Sequence, residues 1–354
     1  MEQALTQKRG MWHKVLYKSA AVLTTCVLPF TCNVYASDNP ALDALAQAAE
    51  KNGKTITWYE SSPEDQIKKV LEAFNQDYPN VPVKYVRLVG GNELASRVIQ
   101  EEQAAGKSAD VLTGGPDHLW QLHERNLLLE MDAATLGLSD ALLPVPYAIP
   151  TAASIYVQIW NTRTVPADAV PNSWDELINP AWKNKIGNWV RAAAFTQLAS
   201  VWGVKKAEEE LRKFVQLNPY LFKSTFPLAQ GVASGEVDIA IGFYHSMQPV
   251  MQAGAPVNYK LLNPTPMHTI SSSIAKSSVN PDAAQLLAVW LTTSRGAAAY
   301  EEATSRGNPF VPGTNAHEML STVDVADWPF DKSSELAELT DKFNAILADG
   351  ATVK

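Results

Sequence analysis

Three times between residues 55 and 128 the chain passes from a strand-like pattern through a polar turn into a helical one. In TITWY (55–59) the apolar residues Ile56 and Trp58 alternate with threonine, the period of a half-buried strand. SSPEDQIKKVLEAFNQDYPN follows, with Ile67, Val70, Leu71 and Phe74 at helical spacing. Ser62 reads as its N-cap, with Pro63 at the first helical position and Asp65 three residues after the cap. VPVKYVRLV (81–89) is a second strand, leading through Gly90 and Gly91 into a helix capped by Asn92. ADVL (109–112) is a third, leading through TGGP into the helix of DHLWQLHERNLL. Three such units in a row predict a parallel α/β construction.

From residue 147 the pattern changes. YAIPTAASIYVQIWN (147–161) reads as extended chain with no helix beside it. A second capping box, Ser173 to Glu176, precedes the short strand KIGNWV. Helices are predicted near 192–202, 205–217 and 225–234, and then the apolar strand DIAIGF (238–243) ends at Tyr244, His245 and Ser246. VNYKLLNPTPMHTISSSIAKS (257–277) is a second long extended passage, followed by two helices separated near Ser294 and an amphipathic tail helix, SSELAELTDKFNAILAD. The two crossings, near 147–157 and 262–272, divide the chain into three blocks. That predicts a first lobe begun by 37–150, a second lobe of 151–264, and a return to the first lobe with C-terminal helices over 265–354. A ligand would sit between the lobes.

The N-terminus reads as a targeting segment rather than as part of either lobe. Lys8, Arg9, Lys14 and Lys18 form a basic region, Ser19 to Thr31 is mostly apolar, and Val34-Tyr35-Ala36 offers small residues for cleavage. This is the pattern of a secretory signal peptide over residues 1–36, and Met11 would give it a more usual length than Met1. The apolar run is too short, and too interrupted by threonine and Pro29, to span a bilayer. A periplasmic protein follows from this reading. Both cysteines, Cys26 and Cys32, lie inside the segment, so a chain cut after Ala36 has none. Disulfides, thiolate nucleophiles and cysteine-based zinc sites are then excluded. A lipoprotein reading through LTTC is weakened by Thr25 directly before the cysteine.

Charge narrows the partners. Taking the four basic residues and one acidic residue of 1–36 from totals of 29 and 37 leaves a net charge of −11. An acidic chain argues against a nucleic-acid partner, though a closed cleft sets its own local field. Catalytic signatures are absent: no H-E-x-x-H, Walker loop, G-x-G-x-x-G or G-x-S-x-G occurs. Ser273 to Lys276 matches S-x-x-K, but S-D-N lies far upstream at 37–39 and K-T-G is missing. His118 and His123 stand five apart on one predicted helix, roughly 140° around it, and cannot share a metal. No enzyme activity and no cofactor are expected.

Several segments carry a family resemblance over roughly residues 55–320. They are EEQAAGKSADVLTGGPDHLWQLHERNLL, YAIPTAASIYVQIWN, NSWDELINPAWKNKIG, ASGEVDIAIGFY and SSSIAKSSVNPDAAQLLAVWLTTSRGAAAY, in this order and spacing. The chain resembles a bacterial extracellular solute-binding protein of an ABC importer, in the branch with ferric-ion, phosphonate, hexose-phosphate, thiamine and polyamine receptors. The resemblance implies a two-lobed periplasmic-binding-protein fold of type II, hinged on two crossover strands. It also implies closure around a small-molecule solute, a permease of the inner membrane that reads the closed form, and a monomer.

Candidate ligand residues follow from the rule that open α/β sheets bind ligands beyond the carboxyl ends of their strands, where helix N-termini favour anions. After the first strand come Ser61, which has no capping duty, and Ser62. Gly91 would let backbone approach a ligand, and Thr113 with Gly114 follow ADVL. Asn188 and Arg191 lie where KIGN gives way to a helix, and Arg191 could offer a bidentate fork to a phosphate, phosphonate or carboxylate. Tyr244 and His245 end the strand DIAIGF. In the ferric branch that the resemblance implies, two adjacent tyrosines at this strand end would supply phenolates. Here the pair reads Phe243-Tyr244, so one phenol is missing unless His245 replaces it. The reading is a clamp on an anionic organic solute. Its alternatives are a ferric receptor using Tyr244 and His245, or an input protein for a membrane histidine kinase.

Overall fold

The computed structural model describes residues 39–89, 91–349 and 352–353. The signal-peptide reading of 1–36, with Cys26 and Cys32, lies outside the described residues. The first block is built as its pattern predicts. Helix α1 (Pro40–Asn52) is capped by Asn39 and leads to strand β1 (Ile56–Glu60), helix α2 (Glu64–Asp77), strand β2 (Val83–Arg87), helix α3 (Gly91–Ala105), strand β3 (Val111–Gly114), helix α4 (Pro116–His123) and the short helix α5 (Ala133–Leu136). Strands β1, β2 and β3 pair in parallel, with β1 between the other two. Ile56, Trp58 and Val111 on one sheet face meet Ile67, Val70 and Phe74 of α2 in a fully buried core. The other face packs Tyr59 and Leu112 against Leu94 and Val98 of α3 and Leu119 and Leu122 of α4.

Strand β4 (Ile149–Asn161) then carries the chain across. Beyond it lie helix α6 (Trp174–Leu177), strand β5 (Ile186–Trp189), helices α7 (Ala193–Trp202) and α8 (Val204–Gln216), strand β6 (Tyr220–Phe222), helix α9 (Thr225–Ser234), strand β7 (Ile239–Phe243), helix α10 (Tyr244–Gln252) and strand β8 (Val257–Lys260). Strand β9 (Thr265–Ile274) crosses back to helices α11 (Pro281–Trp290) and α12 (Ser294–Thr304). The chain ends in helix α13 (Asn315–Leu320), strand β10 (Val325–Ala326), helix α14 (Ser333–Ala348) and strand β11 (Thr352–Val353).

One sheet, ordered β11-β6-β5-β7-β4-β9-β3-β1-β2, with β8 and β10 at its sides, runs through both halves. Its middle is the pair of long crossing strands. The first half of β4 pairs antiparallel with β9 from Ile149↔Ser272 to Ile155↔Met267. Its second half pairs with β7, Tyr156↔Phe243 to Trp160↔Ile239. The extended passages of the sequence are therefore the strands that join the two halves, each half with its own apolar clusters. Every residue of β4 is buried, which is why it shows no clean alternation.

Two elements depart from the sequence pattern. The strand DIAIGF stops at Phe243, and Tyr244 opens α10 rather than ending a strand. After α12 the chain does not stay with the first half. Ala316 and Leu320 of α13 join the cluster of Ile159, Ala240 and Met247, while Leu336, Leu339, Phe343 and Leu347 of α14 join that of Phe195, Leu211 and Phe214.

Candidate functional site

Beyond the carboxyl ends of the strands stand Ser61 and Ser62 after β1, Gly115 to His118 after β3, Val190 to Ala192 after β5, and α10 after β7. Two side-chain networks occupy this region.

The first is organised by Arg306, from the loop after α12. That loop is tied to the crossing strand β4, where Ala153 N–H donates to Gly307 O at 2.8 Å and Asn308 Nδ2 donates to Pro150 O at 2.8 Å. Arg306 Nη1 donates to Ser62 Oγ at 2.8 Å, and Nη2 meets His245 Nε2 at 3.1 Å. Ser62 passes its own hydroxyl hydrogen to Glu60 Oε1 at 3.0 Å, and its backbone N–H donates to Oε2 at 2.6 Å. Tyr300 donates to the same carboxylate at 3.2 Å, and Arg306 Nη1 lies 3.7 Å from it. Glu60 is 1% exposed, so this is a buried carboxylate held by a guanidinium and several hydrogen-bond donors, as such a charge requires.

His245 is 5% exposed and stacks on Phe243 at 5.1 Å, with Phe226 edge-on at 5.9 Å. Burial, and then the neighbouring Arg306, hold its imidazole well below the ordinary histidine range. A guanidinium only donates, so Nε2 accepts and the proton of the neutral ring sits on Nδ1. That Nδ1 is buried without a partner among the described residues, as is Nε of Arg306.

The second network lies where β4 and β9 cross. Tyr156 Oη is 2.8 Å from His268 Nε2, and His268 Nδ1 is 2.9 Å from Gln197 Nε2. Loss of water around the ring pushes His268 down to about 4; Asp117 opposes that shift and Arg191 reinforces it. Asp117 sits at the start of α4 in the first half and Arg191 ahead of α7 in the second, so His268 feels charge from both lobes. Burial also raises the Tyr156 phenol well above its ordinary value, with Arg191 pulling the other way. Arg191 stacks its guanidinium over the Trp189 ring at 5.1 Å and, among the described residues, forms no ion pair. Phe243 joins the networks: its ring centroid is 4.3 Å from Tyr156, 5.9 Å from Trp189 and 6.1 Å from His268.

The residues expected from sequence fare differently. Ser62 does not cap α2; Pro63 takes the cap position, because the helix starts one residue later, and the hydroxyl is spent on Glu60 and Arg306. Ser61 is half-buried, its hydroxyl 3.4 Å from Glu60. Gly91 is the first residue of α3, and Asn92 is its second. Thr113 accepts from Trp58 Nε1 at 2.8 Å and bonds Ser272 Oγ at 2.7 Å, which commits it to the core. At Gly114 a side chain would meet Leu94 at 2.7 Å, so this glycine serves the close approach of α3. Asn188 donates to Trp189 O at 2.6 Å and Arg191 O at 3.3 Å, shaping the turn that carries Arg191. The α7 N-terminus behind that turn is partly used: Ala192 N–H donates to Asn344 of α14 at 2.9 Å.

Tyr244 points elsewhere. Its ring packs edge-on against Tyr259 at 5.2 Å, in the cluster of Met267 and Leu320, and burial first, then Tyr259 and Glu301, push it up to about 12. Tyr244 and His245 thus face different neighbours, and the nitrogen a metal would need on His245 accepts from Arg306. No group of three His, Cys, Asp or Glu side chains gathers as a metal site among the described residues.

Arg306, Tyr156, His268 and Gln197 are not among the residues expected from sequence. His268 left a trace there, as the sole ionisable side chain in the crossing strand TPMHTISSSI. Arg306 left none, since a basic residue in a loop after a helix is ordinary.

The sequence profile of a bacterial extracellular solute-binding protein family matches residues 69–329. The chain belongs to that family. It is a solute-binding protein, with a solute as its ligand. No curated protein matches the chain. Solved structures share its periplasmic-binding-protein fold. Iron-bound HitA from Pseudomonas aeruginosa superposes with a TM-score of 0.69 at 19% identity, covering 82% of this chain and 99% of that one. AfuA from Actinobacillus pleuropneumoniae, with fructose-6-phosphate bound, gives 0.67 at 20% identity over 83% and 99%. The Atu4243 GABA receptor gives 0.66 at 16% identity over 84% and 99%. Identities this low carry the fold alone.

Proposed function

We propose that this binding protein captures a small anionic organic solute, such as a phosphate ester, phosphonate or carboxylate, by closing its lobes around it in the periplasm. The observation that carries the reading is a set of donors beyond the strand ends that lack acceptors among the described residues. Among the described residues, Arg191 has no carboxylate partner, and His245 Nδ1–H and Arg306 Nε–H are buried without acceptors. Buried donors left unmatched cost about 1–3 kcal/mol each, and a ligand rich in acceptor oxygens removes that cost. The carboxylates nearby are already answered: Glu60 by Arg306, Ser62 and Tyr300, and Asp117 by His118 at 2.9 Å.

The relatives bind iron, fructose-6-phosphate and GABA, so the family alone does not select a solute class. Against a ferric site stand the separate surroundings of Tyr244 and His245. The wider reading is of a secreted monomer, released by signal-peptide cleavage after Ala36, that feeds importer rather than kinase.

Thermal unfolding of the protein from residue 37 against a panel of sugar phosphates, phosphoglycerates, phosphonates, dicarboxylates, thiamine, polyamines and ferric citrate tests this. A ligand at about 100 times its Kd adds roughly 2.7 kcal/mol. Stabilisation by one anionic class is the expected result; stabilisation by polyamines or ferric ion alone would overturn it.

A further inference from the structure

Tyr156 has a hydroxyl hydrogen with nowhere to go. The argument starts at Trp328, whose backbone N–H donates to Gln197 Oε1 at 2.7 Å. A backbone N–H only donates, so the amide oxygen of Gln197 must face Trp328 and its NH2 must face His268. The opposite amide orientation would set two donors against each other. Gln197 Nε2 therefore donates to His268 Nδ1 at 2.9 Å, and a neutral imidazole that accepts at Nδ1 carries its proton at Nε2. That Nε2–H donates to Tyr156 Oη at 2.8 Å. The phenol oxygen is then an acceptor towards His268, and its own hydrogen finds no acceptor among the described residues.

Gln197 is 1% and Tyr156 4% exposed, so the chain of donors and acceptors is fixed within the protein. The phenol also sits in the right place. It lies where β4 leaves β9 and begins to pair with β7, 4.3 Å from Phe243 in ring centroids, within reach of the Arg191 charge. No acidic side chain is among the groups whose charge acts on it.

We propose that Tyr156 is a ligand-binding residue: it donates its hydroxyl hydrogen to an unprotonated oxygen of the solute, and the Trp328–Gln197–His268 chain fixes that polarity. This rests on the anionic reading above and sharpens it. A site that presents Tyr156 only as a donor, beside Arg191, selects a carboxylate, phosphate or phosphonate oxygen. It discriminates against a ligand that offers an N–H or ammonium at that point, because two donors would then face each other. Gln197 and His268 act as positioning residues.

Two measurements test it. The first needs no ligand: the 15N shifts of the His268 ring report its tautomer at neutral pH. Protonation at Nε2 is expected, and a proton at Nδ1 would overturn the inference while leaving the anionic reading intact. The second is calorimetric titration of wild type and Tyr156→Phe with glucose 6-phosphate, 3-phosphoglycerate, 2-aminoethylphosphonate and succinate. The ring of the variant keeps its packing on Phe243 but leaves His268 Nε2–H without its acceptor, so its unfolding temperature without ligand should fall by several degrees while the fold is kept. Its Kd for whichever probe wild type binds should rise about tenfold, as for a lost hydrogen bond to a charged acceptor. Equal affinity in both proteins would sink the Tyr156 assignment alone. A wild type that binds none of the anions would remove the anionic reading, and the donor role with it.

Discussion

At the scale of single residues, the site is a matter of which polar atoms are left over. Arg191 is held by a ring face, not by a carboxylate, so its fork is available. Arg191→Ala should weaken binding of the anionic solute by tenfold or more with little change in unfolding temperature, and Arg191→Lys should recover only part, because the ammonium lacks the planar fork. Titration of both variants checks this. Tyr244→Phe should leave affinity unchanged, since its ring is turned to Tyr259; a tenfold loss would show that Tyr244 reaches the solute after all.

Residue-scale titration also sets an acid limit. In the unfolded chain, His245 and His268 each gain a proton as pH falls through about 6.5. In the folded protein His268 stays neutral to about 4 and His245 to well below its ordinary value. The unfolded state thus binds more protons between pH 6.5 and 4, and stability falls across that window. Asp327, pushed up to about 7 by burial, works in the opposite sense, keeping in the fold a proton that an unfolded aspartate loses near 3.9. Two groups outweigh one, so the unfolding temperature should drop from pH 6.5 to 4. Asp327→Asn should stabilise the protein at pH 7, on the order of 1 kcal/mol, and steepen its loss on acidification. Melting curves over pH 4–8 measure both effects.

At the scale of elements, the join between α12 and α13 fixes the loop that carries Arg306. Glu301 of α12 accepts from Asn315 N–H at 2.7 Å and Ala316 N–H at 3.0 Å, at the start of α13. Gly307 lies against that carboxylate: a Cβ there would meet Glu301 Oε1 at 1.9 Å and the Ala316 Cβ at 2.7 Å. Gly307→Ala should cost about 1–3 kcal/mol by forcing these elements apart. It should also weaken ligand binding by displacing the neighbouring Arg306. Unfolding curves and titration of the variant would show whether the two losses occur together. Elements of this kind are where sequence reading thinned out. The helices of α2, α8 and α14 were legible because an apolar stripe recurs at helical spacing. The start of α2 was misplaced by one residue because Ser62 and Pro63 satisfy the local rule for a cap, while the buried Glu60 claims the Ser62 hydroxyl. Helix α10 was missed because Tyr244 to Gln252 carries a proline, Pro249, and no clear stripe.

At the scale of the whole molecule, Arg306 is one of the places where the two lobes touch. It is anchored beside β4 and bonded to Ser62, yet it also reaches His245 of the other lobe. Arg306→Ala should therefore loosen this contact, giving a larger radius of gyration by small-angle scattering without ligand. An unchanged radius would mean that the β4–β9 crossing and the packing of α4 on α14 hold the lobes together without it.

The hydrophobic periods by themselves determined the α/β class, the three opening strand–helix units, and the two extended crossings. These follow from local alternation and from turn residues, which neighbouring chain positions encode. The profile match shows that order and spacing of segments also carried the family. Tertiary structure decided what the cleft contains. Tyr156 and His268 are 112 positions apart, Arg306 and Ser62 are 244 apart, and Gln197 is oriented by a backbone N–H 131 residues away. Whether a hydroxyl caps a helix, answers a buried carboxylate or is left to a ligand depends on partners that only folding brings within 3 Å.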